Sequence, residues 1–520
     1  MSALYQSRLQ KIADNGGSAL IGGGSRGIEK ECLRITADGS TARSAHPQSL
    51  GSALTNRFIT TDYSEALLEF VTPPEPTAWA AMQFMCDIHQ YTYANIGDEL
   101  LWPLSMPCRL RSEEDVPVAR YGTSNIGRMK TIYRNGLGMR YGRYMQAIAG
   151  IHFNYSVPEA FWQVLAETES SDADLTLLKS NSYLGLVRNV RRLDWLLLYL
   201  FGASPAVCGS FLQDHPHDLT ALGDGTYVGE WATSLRMSDI GYQNSNQSAL
   251  IVSANSLQEY IADLSEAIDT PHPDYVKLGL QRDGEYLQLN ANLLQIENEY
   301  YSSVRPKRVA RTGERPTSAL QRGGVEYVEL RSLDLSPFDP AGMGQPQQKF
   351  LEAFLLHCLL ADSPPIDNAE QAMLQQNYLD VAKHGRQPGL KLRRESGDVA
   401  LQDWASEITS DMRPICELLD GDEPAGYVQA LEEQIASIQN AELTPSARLL
   451  AELRETQQPF ADYGLSLARS YREYFDDLGV EFNARTSLLE KESAESLDRQ
   501  QAIEAADEMS LADYLARYYS

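Results

Sequence analysis

The sequence predicts an α+β protein with a mainly antiparallel sheet, followed by a helical region. Three observations predict it. Short runs of strand character lie at residues 27–36, 66–72, 147–156, 285–297 and 324–332. Their connections are irregular, some long and some helical, unlike the regular strand–helix alternation of a parallel sheet. From Gln345 onward helical spacing takes over. The expected organisation is therefore an α+β core over 1–345, which holds the unusual polar clusters and so the chemistry, with a mainly helical region over 346–520 packed on it.

Taken in order, the first element is a short helix in "SALYQSRLQKIADNGG", with Leu4, Leu9 and Ile12 on one side and a stop at Asn15-Gly16-Gly17. Next comes "GGGSRGIEKECLR", which satisfies G-x-G-x-x-G at Gly22, Gly24 and Gly27. A dinucleotide loop needs a strand before the glycines and a helix after them. Here a helix precedes and an extended run follows, so the glycines read as a turn. In that run, alternation sends Glu29, Glu31 and Leu33 to one face and Ile28, Lys30 and Cys32 to the other. "WLLLYLFGA" at Trp195–Ala203 falls short of the ~18 apolar residues of a membrane span and runs into Ser204-Pro205, so it reads as a buried helix. In the helical region, "FLEAFLLHCLLAD" is a buried helix, and Thr444-Pro445 places a cap residue before a first-turn proline. Beyond Ser487 the charged stretch reads either as a partner-binding helix or as a solvated helix packed by its sparse leucines.

Forty-four Lys and Arg against 71 Asp and Glu give a net charge of −27, which argues against a nucleic-acid surface. Anionic substrates would need a local reversal of sign, supplied by divalent cations and a few placed arginines. No secretory signal is read at the N-terminus, and the six cysteines lack C-x-x-C spacing, which fits reduced thiols and a cytoplasmic location.

Four segments carry polar residues where a strand would present a plain core face. "TTDYSEALLEFVTP" contains Asp62, Glu65 and Glu69, and Glu69 is set among Leu67, Leu68, Phe70 and Val71. "AGIHFNYS" puts His152, Asn154 and Ser156 on one face, and "GGVEYVELRSLD" groups Tyr327, Glu329 and Arg331. The fourth is the strand of Glu29 and Glu31. Singly, each has an ordinary explanation, a cross-strand ion pair or a hydrogen-bonded histidine. Together, several carboxylates with one histidine suit hard ions such as Mg²⁺ or Mn²⁺ better than zinc, and bound cations would let like charges share a sheet.

These segments, with "DELLWPLSMPC", "ARYGTSNIGRMKTIYRNGL", "ATSLRMSDIGYQN" and "LQIENEYYSSVRPKR", resemble the bacterial glutamate–cysteine ligase family, in order from about residue 20 to 360. The resemblance implies a glutamine-synthetase-like fold, in which a curved, mainly antiparallel sheet forms an active-site funnel. It implies ATP-dependent joining of the γ-carboxylate of L-glutamate to the amine of L-cysteine through a γ-glutamyl phosphate, the first step of glutathione synthesis. By position, Glu29, Glu31, Asp62, Glu69, His152 and Glu329 correspond to metal ligands for Mg²⁺, with Mn²⁺ able to substitute. Arg331 corresponds to the phosphoryl contact, with Glu329 beside it as a catalytic pair. Arg236 corresponds to the substrate-carboxylate arginine, Tyr133, Gln146, Tyr242 and Tyr301 to the cysteine pocket, and Asn154 to the nucleotide contact. Lys307 and Arg308 either assist phosphate binding or are solvated. The resemblance further implies a monomer acting on small molecules alone, with feedback inhibition by glutathione. Two other readings remain: a γ-glutamyl ligase with a different amine acceptor, and a non-catalytic binding homologue.

Overall fold

The computed structural model describes residues 2–168, 174–213, 216–241, 250–311, 313–422, 425–479 and 484–519. Among these, seven strands form the main sheet: β1 (Ser25–Ile35), β2 (Ile59–Thr61), β3 (Leu67–Val71), β4 (Leu100–Leu101), β5 (Ile151–Ser156), β6 (Val304–Lys307) and β7 (Tyr327–Leu333). Their order is β6-β7-β5-β1-β3-β2, all antiparallel, and β4 pairs with the far end of β1. Pro306 is tolerated because β6 lies at the sheet edge, where a missing N–H costs no inner ladder bond.

The helices that support the site are α1 (Ala3–Asp14), α2 (Ala78–Asn95), α3 (Asn125–Tyr141), α4 (Leu175–Phe201), α5 (Gln345–Leu360), α6 (Asn368–His384), α7 (Tyr427–Gln439), α8 (Thr486–Ala505) and α9 (Leu511–Tyr519). Helices α2 and α4 lie against the sheet, and α5 packs on both. The core fills the space between: Ile28, Cys32, Leu68, Phe70, Ile151, Phe153, Val328 and Leu330 are all at most 1% exposed. Among the described residues no helix is long and apolar enough to cross a membrane, and all six cysteines are free thiols.

Two charges interrupt this apolar back face. Lys30, pushed down by burial, directs its Nζ to His89 Nε2 at 2.8 Å, and the ring's Nδ1 lies 2.7 Å from Met85 O. Arg26 donates to Glu352 Oε1 on α5 at 2.7 Å, while Tyr155 and Tyr427 donate to the two oxygens of the same carboxylate at 3.2 and 2.8 Å. The first residues of β1, the end of β5, α5 and α7 are thereby tied at one buried point. Gly24 is required beside it, because a Cβ there would lie 2.7 Å from the Tyr155 hydroxyl oxygen.

Several expectations change. Residues 285–297 are not a continuous strand: ladder pairing is limited to Glu285–Tyr286 and an isolated bridge of Asn292 with Pro271, and the chain is otherwise irregular to a short 3-10 turn at Glu297–Glu299. The alternation there comes from buried amides. Gln288 and Gln295 are fully buried, and Asn290 and Asn292 bond nearby backbone in place of a ladder. Leu4 is 40% exposed, and the face of α1 is carried by Tyr5, Leu9 and Ile12. The helical region also holds a small hairpin, Lys391–Leu392 with Val399–Ala400. The charged helix α8 buries Leu489, Glu492, Ser493 and Ser496 while Leu488 is exposed, so polar contacts rather than a leucine stripe dock it. Glu492, for instance, accepts from both the backbone and the guanidinium of Arg57.

Glu352→Leu would strand the Arg26 guanidinium, which is 2% exposed. Breaking such a buried pair costs about 3–5 kcal/mol. Urea unfolding should show that loss in the single variant and recovery of most of it in Arg26→Met/Glu352→Leu. Equal destabilisation by the single and double changes would mean that packing, not the unpaired charge, sets the cost.

Candidate active site

Antiparallel register assembles the site. Pairing β1 with β3 sets Glu31 opposite Glu69, and pairing β1 with β5 sets Glu29 opposite His152. On the next strand over, Glu329 of β7 faces Asn154 of β5. A slip of one residue in any ladder would turn that strand's polar set into the core. The β5–β7 register shifts between Leu330 and Leu333, while on the other side the Arg331 backbone N–H extends the β6–β7 register, donating to Ser303 O at 2.8 Å.

The side chains converge accordingly. His152 Nδ1 lies 3.0 Å from Glu29 Oε2 and 3.6 Å from Glu329 Oε1, and its Nε2 is 3.8 Å from Glu31 Oε1. One ligand atom each from Glu29, His152 and Glu329 falls within 4.8 Å of the others. Asn154 Nδ2 donates to Glu29 Oε1 at 2.9 Å, and Arg331 donates to Glu329 Oε1 at 2.9 Å. Glu329 Oε2 is buried without a hydrogen-bond partner, with Lys307 Nζ 3.4 Å away. An unfilled carboxylate oxygen beside an imidazole and a second carboxylate is a donor set that fits a hard divalent cation.

Charge is unevenly shared. Burial raises Glu69 well above the usual carboxylate range, and Asp62, Glu29 and Glu31 add to the effect. Glu31 is raised by burial and Asp62, against the pull of His152, Arg236 and Arg331. Glu329 is also buried, yet Lys307, Arg331, His152 and Arg305 outweigh that and hold it well below the usual range. The face thus has a cation-compensated edge at β6–β7 and an uncompensated acidic flank at β1–β3.

A cavity of about 590 Å³ opens beside this face, lined by Glu31, Asp62, His152 and Arg331 on the sheet side and by Tyr133, Gln146, Arg236 and Tyr301 on the other. Arg236 is no surface ion pair. It is 2% exposed, donates to Arg331 O at 2.9 Å and lies 3.6 Å from Asp334, and a Cβ at Gly150 would overlap its guanidinium. Gln146 Nε2 donates to the Tyr301 hydroxyl at 3.4 Å. Tyr242 lies outside the described residues.

Two neighbours separate from the site. Glu65 turns away, accepting from the backbone N–H groups of His46 and Arg120. Arg308 is spent on Gly324 O and Glu326, so of the "RPKR" cations Lys307 and Arg305 face the carboxylates, and the burial of Arg305 beside Glu329 and Arg331 is what sequence reading missed. Also missed were cavity residues Asp194, Asn298, Glu299, Ser303 and Tyr378. Asp194 accepts from Ser303 Oγ at 2.6 Å, and Glu299 from Arg140 at 2.9 Å and from Tyr141 at 2.7 Å. Asp194 and Tyr378 sit inside the helices α4 and α6, Asn298 and Glu299 on a short 3-10 turn, and Ser303 on irregular chain, none with a periodicity that flags it.

Comparison with known proteins agrees with this geometry. The family profile described as glutamate-cysteine ligase matches residues 9–381. A glutamate–cysteine ligase of Alcanivorax borkumensis is 48% identical over 520 residues, covering 99% of each chain. One from Pseudomonas putida is 47% identical over 498 residues, 96% of this chain and 94% of that one. The crystal structure of glutamate–cysteine ligase from Francisella tularensis in complex with AMP superposes with a TM-score of 0.90 at 37% identity, covering 96% of this chain and 97% of that chain. A bifunctional glutathione synthetase from Pasteurella multocida shares the fold, with a TM-score of 0.71 at 24% identity over 98% of this chain and 58% of its own. This chain belongs to the glutamate–cysteine ligase family.

Proposed function

We propose that this protein joins the γ-carboxylate of L-glutamate to the amine of L-cysteine, with ATP converted to ADP and phosphate through a γ-glutamyl phosphate. The observation that carries the reading is one cavity lined by Glu31, Asp62, His152 and Arg331 on one side and by Arg236 with two tyrosines on the other, with His152 shared by the Glu29–His152–Glu329 cluster behind it. A carboxylate is a poor electrophile, so a ligase must hold a nucleotide triphosphate and two amino acids together and stabilise the transferring phosphoryl group. In this reading Glu29, His152 and Glu329 hold one Mg²⁺ or Mn²⁺, and Glu31, Glu69 and Asp62 serve further ions. Bound there, such ions would neutralise phosphate charge.

The chain's own groups do the rest. Arg331 reaches the phosphoryl oxygens from beside Glu329, Asn154 contacts the nucleotide, and Lys307 completes the positive edge. Arg236, held rigid between Gly150 and Asp334, takes a substrate carboxylate. Tyr133, Gln146, Tyr242 and Tyr301 close on the acceptor, so that its amine meets the acyl phosphate at high effective concentration. The AMP complex of the Francisella relative supports nucleotide use. The same reading takes the sheet as a glutamine-synthetase-like funnel, residues 1–345 as the catalytic part and 346–520 as helices packed on it, and the protein as a cytoplasmic monomer open to inhibition by glutathione.

Because burial and neighbouring acids raise Glu31 and Glu69, these carboxyls hold protons to higher pH than ordinary carboxylates, and a cation bound there competes with those protons. Mn²⁺ binding, followed by calorimetry in buffers of different ionisation heat, should release protons and tighten as pH rises. Glu69→Gln should diminish that release, and proton-neutral binding in the wild type would remove these carboxylates from the cation site. Arg331→Lys keeps the charge but loses the planar fork. Turnover should fall roughly 10²- to 10³-fold, the scale of one lost transition-state contact, whereas normal turnover with weaker glutamate binding would assign Arg331 to substrate recognition. ADP release with glutamate and varied acceptors tests the overall reaction. Cysteine should give one ADP per γ-linked dipeptide, 2-aminobutyrate should react roughly 10- to 200-fold less efficiently because only a small apolar contact differs, and ammonia should be far poorer. Equal efficiency with ammonia would point to the ligase with another acceptor, and AMP with pyrophosphate would exclude the acyl phosphate.

A further inference from the structure

The two walls of the acceptor side come from separate parts of the chain. Tyr133 and Leu137 stand on α3, and Asn298 to Tyr301 end the irregular segment that follows Glu285–Tyr286. Arg140 and Tyr141 at the end of α3 bond Glu299, and a second joint, nearer Tyr133, is Gln295. It is fully buried, its Nε2 donates to Tyr133 O at 3.2 Å, its Oε1 accepts from Leu289 N at 3.0 Å, and its backbone N–H donates to Glu299 Oε2 at 2.6 Å. The amide fits only because position 136 is glycine, since a Cβ there would overlap Gln295 Oε1.

The outer side of this joint is held by α9, more than 200 residues away in sequence. The Tyr519 hydroxyl donates to Gln295 O at 2.7 Å and accepts from Asn290 Nδ2 at 3.1 Å. Leu511 and Leu515 of α9 complete a small hydrophobic cluster with Met129 and Ile132 of α3 and with Leu289 and Ile296 of the segment. The approach to α9 is pinned as well. Asp507 Oδ1 and Met509 O accept from Asn125 Nδ2 at 2.6 and 2.8 Å, on the first residue of α3. Helix α9 therefore spans both walls from outside. Tyr519 is not among the residues that line the cavity.

We propose that Tyr519 is a positioning residue for the acceptor amino acid: through Gln295 it sets the separation of the Tyr133 and Tyr301 walls. The proposal rests on the reading of those walls as the cysteine pocket. Loss of the hydroxyl loosens one wall against the other, and the effect falls on the acceptor alone, because the carboxylate cluster and Arg331 belong to the sheet, whereas α9 packs on α3 and on the segment around Leu289 to Ile296.

The test is steady-state kinetics on the full chain with Tyr519→Phe and, independently, Asn290→Ala, which removes the other partner of the hydroxyl. Each should raise KM for cysteine about three- to tenfold, the scale of one buried hydrogen bond, with kcat and the KM values for ATP and glutamate within about twofold of wild type. Tyr301→Ala, which opens the wall itself, is the reference. If it raises KM for cysteine while Tyr519→Phe and Asn290→Ala do not, or raise all three KM values alike, the positioning role is overturned and the pocket stands. If Tyr301→Ala leaves KM for cysteine unchanged, the pocket reading fails and the proposal fails with it.

Discussion

The structure depends on one constraint: the register of β1 between β3 and β5. That register puts Glu31 against Glu69 and Glu29 against His152, and so collects like charges on one buried face. Directly opposed like charges destabilise a sheet, and the raised Glu31 and Glu69 carboxyls are the physical trace of that conflict. The rest of the molecule can be understood as holding the strands in this unfavourable arrangement.

It does so mostly from behind. The apolar residues of β1, β5 and β7 are fixed under α2 and α4, and a slip in register would bury the acids and expose the core together. The Arg26–Glu352 pair locks one end of β1 to α5, at a point fully removed from solvent. On the front, the positive edge of Lys307, Arg305 and Arg331 offsets Glu329 but does not reach the β1–β3 flank to the same degree, which is why the proposed function places bound cations at that flank. In the proposed function, a protein of net charge −27 holds a polyphosphate where bound ions and these few guanidinium and ammonium groups act together.

Much of this was legible in the sequence because sheet faces follow a period of two. Glu29 with Glu31, His152 with Asn154, and Glu329 with Arg331 could each be assigned to a face from spacing, and the structure brings those faces into one sheet. Pairing partners could not be read, since they follow from topology rather than local pattern. Residues 285–297 misled for the opposite reason: their alternation is real, but buried amides satisfy the backbone there in place of a neighbouring strand. Asp194 within α4 and Glu299 on a short turn carry no local signature, and their place in the cavity wall emerges only from packing. The charged helix α8 resembled solvated surface because its docking uses Glu492 and Ser496 instead of an apolar stripe.

The central claim is that strand register creates a divalent cation site at Glu29, His152 and Glu329. Anomalous diffraction from crystals grown with Mn²⁺ tests it most directly. The account predicts a manganese peak within coordination distance of all three side chains, adjoining Arg331 and facing the cavity. An ordered manganese bound elsewhere, with Glu329 still paired only to Arg331 and Lys307, would contradict it.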